Sequence, residues 1–339
     1  MSKLPLESQL AALYQRWCGT PPELVLPLAP SGSARIYYRL EGKGGAAIGA
    51  YNPQQEENRA FLAFSKHFKA KGLPVPEIYL EDSEQNIYLQ EDLGFTTLYS
   101  FLLQRGADFP DHLIRLYKLV VERLAELQIK GGEGLDYSDC FPRQDFDKQS
   151  MLWDFNTFKY YFLRLAGIPY DEQALEDDLH RLADYLLTAD SQHFMFRDFQ
   201  TRNIMIKGGQ PYFIDYQGGR RGALQYDLAS LLFQAKADIP QDIREQLLEH
   251  YLDKVETLIP VDRARFTQHY YGFVLIRTLQ VLGAYGYRGL YERKQHFLQS
   301  IPFALGNLRW LLEEVVLPLE LPTLKKVQSQ SIAPTISSF

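Results

Sequence analysis

Residues 196–206 read F-R-D-F-Q-T-R-N-I-M-I, residues 212–219 read Y-F-I-D-Y-Q-G-G, and residues 226–232 read Y-D-L-A-S-L-L. Asp198 and Asn203 stand five positions apart, and Asp215 follows twelve positions after Asn203. Two short apolar runs, 203–206 and 212–215, flank Lys207-Gly-Gly-Gln210, which is a β-hairpin signature. A loop that runs into a hairpin delivers two carboxylates and one amide to a common point. That set suits phosphoryl transfer, which asks the protein for positioning and charge neutralisation more than for covalent help. One carboxylate positions a hydroxyl and accepts its proton. The other carboxylate and the amide oxygen suit magnesium, a hard cation that takes few ligands from protein.

Outward from this segment the chain divides by pattern. Before it, 34–40 alternates with Ile36, Tyr38 and Leu40 on one face, as a half-buried strand does. The run 46–51 predicts a second strand. Phe61, Phe64 and Phe68 predict a helix over 56–71, stopped by Gly72 with Pro74 beyond. Ile87, Tyr88 and Leu89 predict a strand leading into Glu91-Asp92-Leu93-Gly94. After Gly94 the spacing is helical, with stripes at Leu113, Leu116, Val120, Leu124 and Leu127 and at Leu175, Leu179, Leu182 and Leu186. Helical periodicity resumes from Tyr226 to about Val316, and the residues from Leu317 onward, with Pro, Ser, Thr and Gln, read as a loose tail. The expected fold is α+β and bilobal: a small N-terminal antiparallel-sheet lobe over 1–93, a larger helical lobe over 94–316, and a tail or linker over 317–339 to which a fused or interacting domain could attach.

These motifs resemble the aminoglycoside phosphotransferase family of the protein-kinase-like superfamily, whose catalytic loop H-x-D-x-x-x-x-N is followed by I-D-[WFY] and Y-D-L-A. The resemblance implies Asp198 as catalytic base, Asn203 and Asp215 as magnesium ligands, and Asp227 as the structural Asp of Y-D-L-A. It also implies a nucleotide-positioning loop at Ser31-Gly32-Ser33 with Arg35. The interlobe hinge then falls at Glu91–Gly94, where ATP's adenine would meet backbone groups of Gln90, Glu91 and Leu93. Two departures stand out. Phe196 replaces the motif His, where an aromatic can pack. The strand 46–51 has no Lys to meet the α- and β-phosphates; Arg35 or Arg39 is the available substitute, Arg39 being equally readable as a solvated strand residue. Without that Lys, Glu56 and Glu57 read as surface charges.

Within the family the chain looks most like the bacterial anomeric kinases of amino sugars, through Arg197-Asp198-Phe199, Ile214-Asp215-Tyr216-Gln217, Trp153-Asp-Phe-Asn-Thr-Phe158 and Arg277-Thr-Leu-Gln-Val-Leu-Gly283. This implies phosphorylation of an N-acetylmuramate- or N-acetylglucosamine-type sugar at C1, with Asp154 as a carboxylate acceptor for sugar hydroxyls and Trp153 or Tyr160 as a stacking face. Arg277, a charge in an apolar helix, needs a partner: it anchors an acidic residue near the catalytic loop or faces substrate phosphate. Arg197 likewise braces the loop or touches phosphate. Arg220 and Arg221 are solvated or steer an anionic substrate.

The composition bounds the alternatives. The 339 residues carry a net charge of −6, which gives no argument for nucleic acid. The start lacks a signal-peptide core, no run reaches about 18 uninterrupted apolar residues, and Cys18 and Cys140 form no metal or redox spacing. The expected setting is cytoplasmic, away from the membrane. Phosphorylation of an aminoglycoside or amino alcohol fits less well, since cationic substrates want an acidic cleft and the sequence shows no dense acidic cluster beyond Glu91-Asp92 and Asp177-Asp178. A non-catalytic nucleotide-binding module is the third reading, motivated by the missing Lys and opposed by the intact Asp198, Asn203 and Asp215.

Overall fold

The computed structural model describes residues 4–29, 34–106 and 108–331. The N-terminal part pairs two helices with one sheet. Helix α1 (Leu6–Cys18) precedes strands β1 (Leu24–Pro27), β2 (Ile36–Gly42) and β3 (Gly45–Tyr51); helix α2 (Gln55–Ala70) then leads to β4 (Ile78–Asp82) and β5 (Ile87–Glu91). The sheet runs β1-β2-β3-β5-β4, antiparallel at every pair. The three predicted strands and α2 are present. Helix α1 was not foreseen, although Leu10, Leu13 and Tyr14 recur at helical spacing and close a small core against Leu40, Ala47, Ile87 and Leu89. Ile36 remains 43% exposed, so of the alternating face only the Leu40 end is covered.

The larger part is mostly helical. Helices α3 (Leu98–Gln104), α4 (Asp111–Gly132), α5 (Lys148–Thr157) and α6 (Glu172–Leu186) come before the loop; α7 (Gln225–Leu232), α8 (Gln241–Glu256), α9 (Arg263–Tyr285), α10 (Gln295–Leu298), α11 (Ile301–Glu314) and α12 (Pro322–Ser331) follow it. Between them lie short strands β6 (His193–Met195), β7 (Ile204–Lys207), β8 (Gln210–Phe213) and β9 (Arg220–Gly222), paired β6 with β9 and β7 with β8. Gly208 and Gly209 both take positive φ, 59° and 75°, as the two-residue turn between β7 and β8 requires. The predicted leucine stripes of α4 and α6 are buried apart from Leu116, which packs on the core's edge. Two π-helical turns, Phe158–Leu163 and Gly286–Tyr291, pack on one another. There a Cβ on Gly286 would come within 2.0 Å of the Tyr161 carbonyl oxygen, so only glycine fits.

The core does not respect the lobe division. Phe61, Phe64 and Phe68 of α2 belong to the same buried cluster as Phe194, Phe196 and Tyr216 from the catalytic segment. The Tyr216 hydroxyl shares a 2.6 Å hydrogen bond with Ser65. The loose tail expected from 317 is corrected over 322–331, which form α12. Leu321, Leu324 and Val327 are buried, and the Asp178 carboxylate accepts the Leu324 N–H at 2.8 Å. Three apolar residues three apart, diluted by Pro, Ser, Thr and Gln, carry that docking. Among the described residues no helix is long and apolar enough to cross a membrane.

Candidate active site

The catalytic segment begins where β6 ends, and a buried carboxylate sets its shape. Asp227, near the start of α7, accepts the backbone N–H groups of Phe196 (2.7 Å) and Arg197 (2.9 Å). Gln128 of α4 donates a third bond at 2.9 Å and itself accepts from the Tyr251 hydroxyl at 2.6 Å. Burial pushes the Asp227 carboxyl up to about 7 in spite of these donors. Phe196 is fully buried, its ring edge-on to Phe199, Phe213 and Tyr216, so packing replaces the polar contacts a histidine would make there.

Arg197 follows with φ of 80°, a left-handed conformation that costs a non-glycine residue about 1 kcal/mol or more. The cost is met by its bonds: its guanidinium donates to Asp154 at 2.6 Å and to the Tyr226 hydroxyl at 2.5 Å, over the Phe146 and Tyr226 rings. Burial opposes the charge, but Asp154 outweighs it and holds Arg197 above its ordinary value. Of the two roles open to Arg197, the geometry shows bracing. Asp154, only 6% exposed, neutralises Arg197 through Oδ1, while its Oδ2 has no hydrogen-bond partner among the described residues. A buried guanidinium next to the loop needs a counter-charge, and α5 supplies it.

The strained turn presents Asp198 outward, its side chain 52% exposed. Arg277 of α9 comes to 3.9 Å from that carboxylate while donating to Ser230 at 2.9 Å and to Gln280. Arg277 therefore anchors an acidic group of the catalytic loop. Asn203 donates its Nδ2 to the Asp198 carbonyl at 2.9 Å, which commits its nitrogen and leaves Oδ1 without a hydrogen bond among the described residues. Asp215, at the end of the hairpin, also has a left-handed φ, 71°. Its carboxylate accepts from Gln217 at 2.9 Å and lies 3.5 Å from Arg35. The side chain keeps 40% of its surface, yet the protein around it displaces enough water to push its carboxyl upward, and the Asp198 charge adds to the shift. Asp198, Asn203 and Asp215 thus converge. Asn203 Oδ1 and Asp215 are two hard oxygen donors, and no group of three His, Cys, Asp or Glu side chains gathers among the described residues. That suits an ion which completes its shell with phosphate and water.

Across the cleft, Arg35 is buried and pairs with Asp215 and, at 3.4 Å, with Glu57 of α2. Glu57 is thus not a surface charge; Asn52 donates to it at 3.0 Å. Arg39 is corrected too. It is 3% exposed, donates to Asp92 at 2.6 and 2.9 Å and to the Gly94 carbonyl, and lies on the Phe95 ring, bracing the hinge. Glu91 turns its side chain to Lys207 (2.8 Å) and Lys69 (3.4 Å), and its N–H to the Glu77 carbonyl, so it ties the hinge to the β7–β8 hairpin. Gln90 lies in the sheet, paired with Ile48 and Ile78. Among the described residues the backbone of Leu93 has no hydrogen-bond partner, which leaves it a hinge group able to meet a base. Ser31, Gly32 and Ser33 lie outside the described residues. Arg220, read as solvated or steering, is buried and bonds the Gly218 carbonyl; Arg221 pairs with Asp145 at 3.4 Å. Gln128 escaped the sequence reading, though an amide beside the apolar stripe of α4 was the available signal.

A model of the phosphotransferase enzyme family matches residues 25–266, well over half of the chain. The chain belongs to that family. The phosphotransferase is 26% identical over 291 residues to an N-acetylmuramate/N-acetylglucosamine kinase of Neisseria meningitidis serogroup B, covering 83% of each chain. It is 25% identical over 310 residues to a protein of the same name from Pseudomonas putida, covering 88% of this chain and 86% of the other. Among solved structures, amicoumacin kinase in complex with AMP-PNP, Ca2+ and Ami superposes with a TM-score of 0.64 at 12% identity, covering 94% and 96% of the two chains. That likeness confirms the bilobal protein-kinase-like fold. The phosphotransferase moves a phosphoryl group to a hydroxyl acceptor.

Proposed function

We propose that the phosphotransferase is a cytoplasmic, ATP- and magnesium-dependent sugar kinase that phosphorylates an amino sugar of the N-acetylmuramate or N-acetylglucosamine type at its anomeric hydroxyl. The observation that carries the chemistry is the convergence of Asp198 with Asn203 and Asp215; the names of the curated relatives support the substrate class.

Asp198 is the base. Half-exposed and held from behind by Arg277, it accepts the proton of the incoming hydroxyl as the new O–P bond forms and the bond between the γ-phosphorus and the β,γ-bridging oxygen breaks. Asn203 Oδ1 and Asp215 hold the magnesium, which when bound neutralises charge on the phosphate oxygens. Arg35, beside Asp215, takes the place of the absent third-strand Lys and directs its charge at the phosphates. Leu93 offers its backbone to the adenine. Arg197 and Asp154 position the loop.

The test is an acceptor screen read by ADP formation with MgATP, with the phosphorylated position assigned by NMR. The reading expects turnover of N-acetylglucosamine or N-acetylmuramate, a phosphate on C1, and loss of both in Asp198→Ala. No turnover across a broad sugar panel, or phosphate on another oxygen, contradicts it.

A further inference from the structure

Gln217, two places after Asp215, does not hold together the turn in which it sits. The chain leaves the hairpin through Asp215 and enters a tight turn, closed by the Gly219 N–H on the Tyr216 carbonyl at 2.9 Å. Other groups secure that turn. Ser65 Oγ donates to the Phe61 carbonyl at 2.6 Å, which commits its proton, so the Tyr216 hydroxyl is the donor in the bond it shares with Ser65. Arg220 donates Nε and Nη2 to the Gly218 carbonyl at 3.2 and 3.0 Å. Gly219 lies so close to the Phe194 ring that a Cβ would come within 2.3 Å of it. None of these contacts uses the Gln217 side chain.

That side chain folds back on Asp215 instead. Its Nε2 donates to Asp215 Oδ1 at 2.9 Å; an ionised carboxylate only accepts, so the amide nitrogen is the end that faces it. Its Oε1 is left buried with no partner among the described residues. A buried amide oxygen without a donor is a cost that an apolar side chain of the same length would not carry. Among the described residues the bond to Asp215 is the only one the side-chain amide makes, and it shapes that carboxylate. Arg35 lies 3.5 Å from the same oxygen, so both donors fall on Oδ1, and Oδ2 has none among the described residues. When Arg35 turns to phosphate, Gln217 is the donor that stays.

We propose that Gln217 is a positioning residue that makes Asp215 a one-oxygen ligand and thereby favours magnesium over calcium at the nucleotide's phosphates. This rests on the reading of Asp215 as a metal ligand given above. An oxygen already occupied by an N–H is a poor ligand, so the cation is offered Oδ2 alone. Magnesium is small and demands a nearly regular octahedral shell, which a two-oxygen grip by one carboxylate distorts. Calcium is larger, tolerates irregular shells and accepts a carboxylate through one oxygen or both. Holding one oxygen back therefore helps magnesium and gives calcium nothing.

Titration calorimetry of ADP without metal, with magnesium and with calcium gives the factor by which each cation tightens binding. Gln217→Met keeps the length of the side chain and removes the donor; Gln217→Asn withdraws the amide by one methylene. Both lower the magnesium factor about tenfold, the size of losing a bond to a metal ligand, and leave the calcium factor within about twofold. ADP binding without metal stays as in the wild type. The melting temperature of Gln217→Met does not fall, since the unpartnered oxygen leaves with the amide. An equal fall in both cation factors overturns the proposal, because it reports general damage to the site. So does a loss of metal-free ADP binding, which would place Gln217 at the nucleotide. A magnesium factor that both variants keep also overturns it, and removes only the role of Gln217; a wild type with no magnesium factor removes the metal reading of Asp215 as well.

Discussion

The two walls of the cleft are connected at different densities. On the loop side, Asp227 takes three donors at 2.7 to 2.9 Å, and Arg197 meets Asp154 at 2.6 Å over the rings of Phe146 and Tyr226. On the sheet side, Arg39 grips Asp92 at 2.6 and 2.9 Å, but Arg35 spans Glu57 and Asp215 at 3.4 and 3.5 Å, the outer limit of a hydrogen bond. Tight pairs on the first wall fix a strained backbone. The loose Arg35 pairs on the second can be exchanged for phosphate and metal. Structure-bearing and ligand-bearing charges are thus separable, and substitutions should separate them too.

The largest expected effect belongs to a residue on the loop wall that is outside its lock. Asp198→Asn removes the proton acceptor and should lower kcat about 1000-fold in the ADP-release assay. The melting temperature should stay within a degree or two, because among the described residues the Asp198 carboxylate pairs only with Arg277, at 3.9 Å. Second comes the lock itself. Arg197→Met strands the buried Asp154 carboxylate and should cost about 3 kcal/mol in urea unfolding. Pairing it with Asp154→Leu should restore most of that stability but not the rate, since the loop loses the groups that aim it.

Third, Arg35→Gln should raise KM for ATP about tenfold, worth about 1.4 kcal/mol. It should destabilise the fold less than Arg197→Met does, because Glu57 and Asp215 stay 27% and 40% exposed and can be hydrated. The smallest effect tests a pair remote from both walls. Glu126 of α4 is partly desolvated, which raises its pKa, but bonds from Lys254 and Arg123 outweigh this and bring it down to about 2. Its folded value lies below its ordinary 4.5, so the stability it adds is complete above that pH and is lost as pH falls through about 2. Glu126→Gln should therefore cost about 1 kcal/mol at pH 7 and nothing below pH 2, measured by urea unfolding at each pH.

What could be read from the sequence follows the same division. The hairpin, the spacing of Asp198, Asn203 and Asp215, and the helix carrying Phe61, Phe64 and Phe68 are local patterns, and the structure has the hairpin and that helix where the patterns put them. Partnerships across long stretches of chain were not legible. Nothing near Asp154 announces that Arg197, 43 positions on, will claim it, and Arg39 gives no local sign that Asp92 waits across the sheet. Glu57 looked like a surface charge because its partner, expected on β3, is instead Arg35, the residue just before β2. Helix α12 was missed because its buried residues are few and its composition is that of a linker.

The central claim is that Asn203 and Asp215 hold an ion at the nucleotide's phosphates while Asp198 faces the acceptor. Titration calorimetry of ADP, with and without magnesium, tests it most directly. The account predicts that magnesium tightens ADP binding in the wild type and equally in Asp198→Ala, and that Asp215→Asn abolishes the magnesium effect. A magnesium effect that survives Asp215→Asn, or one that vanishes in Asp198→Ala, would contradict it.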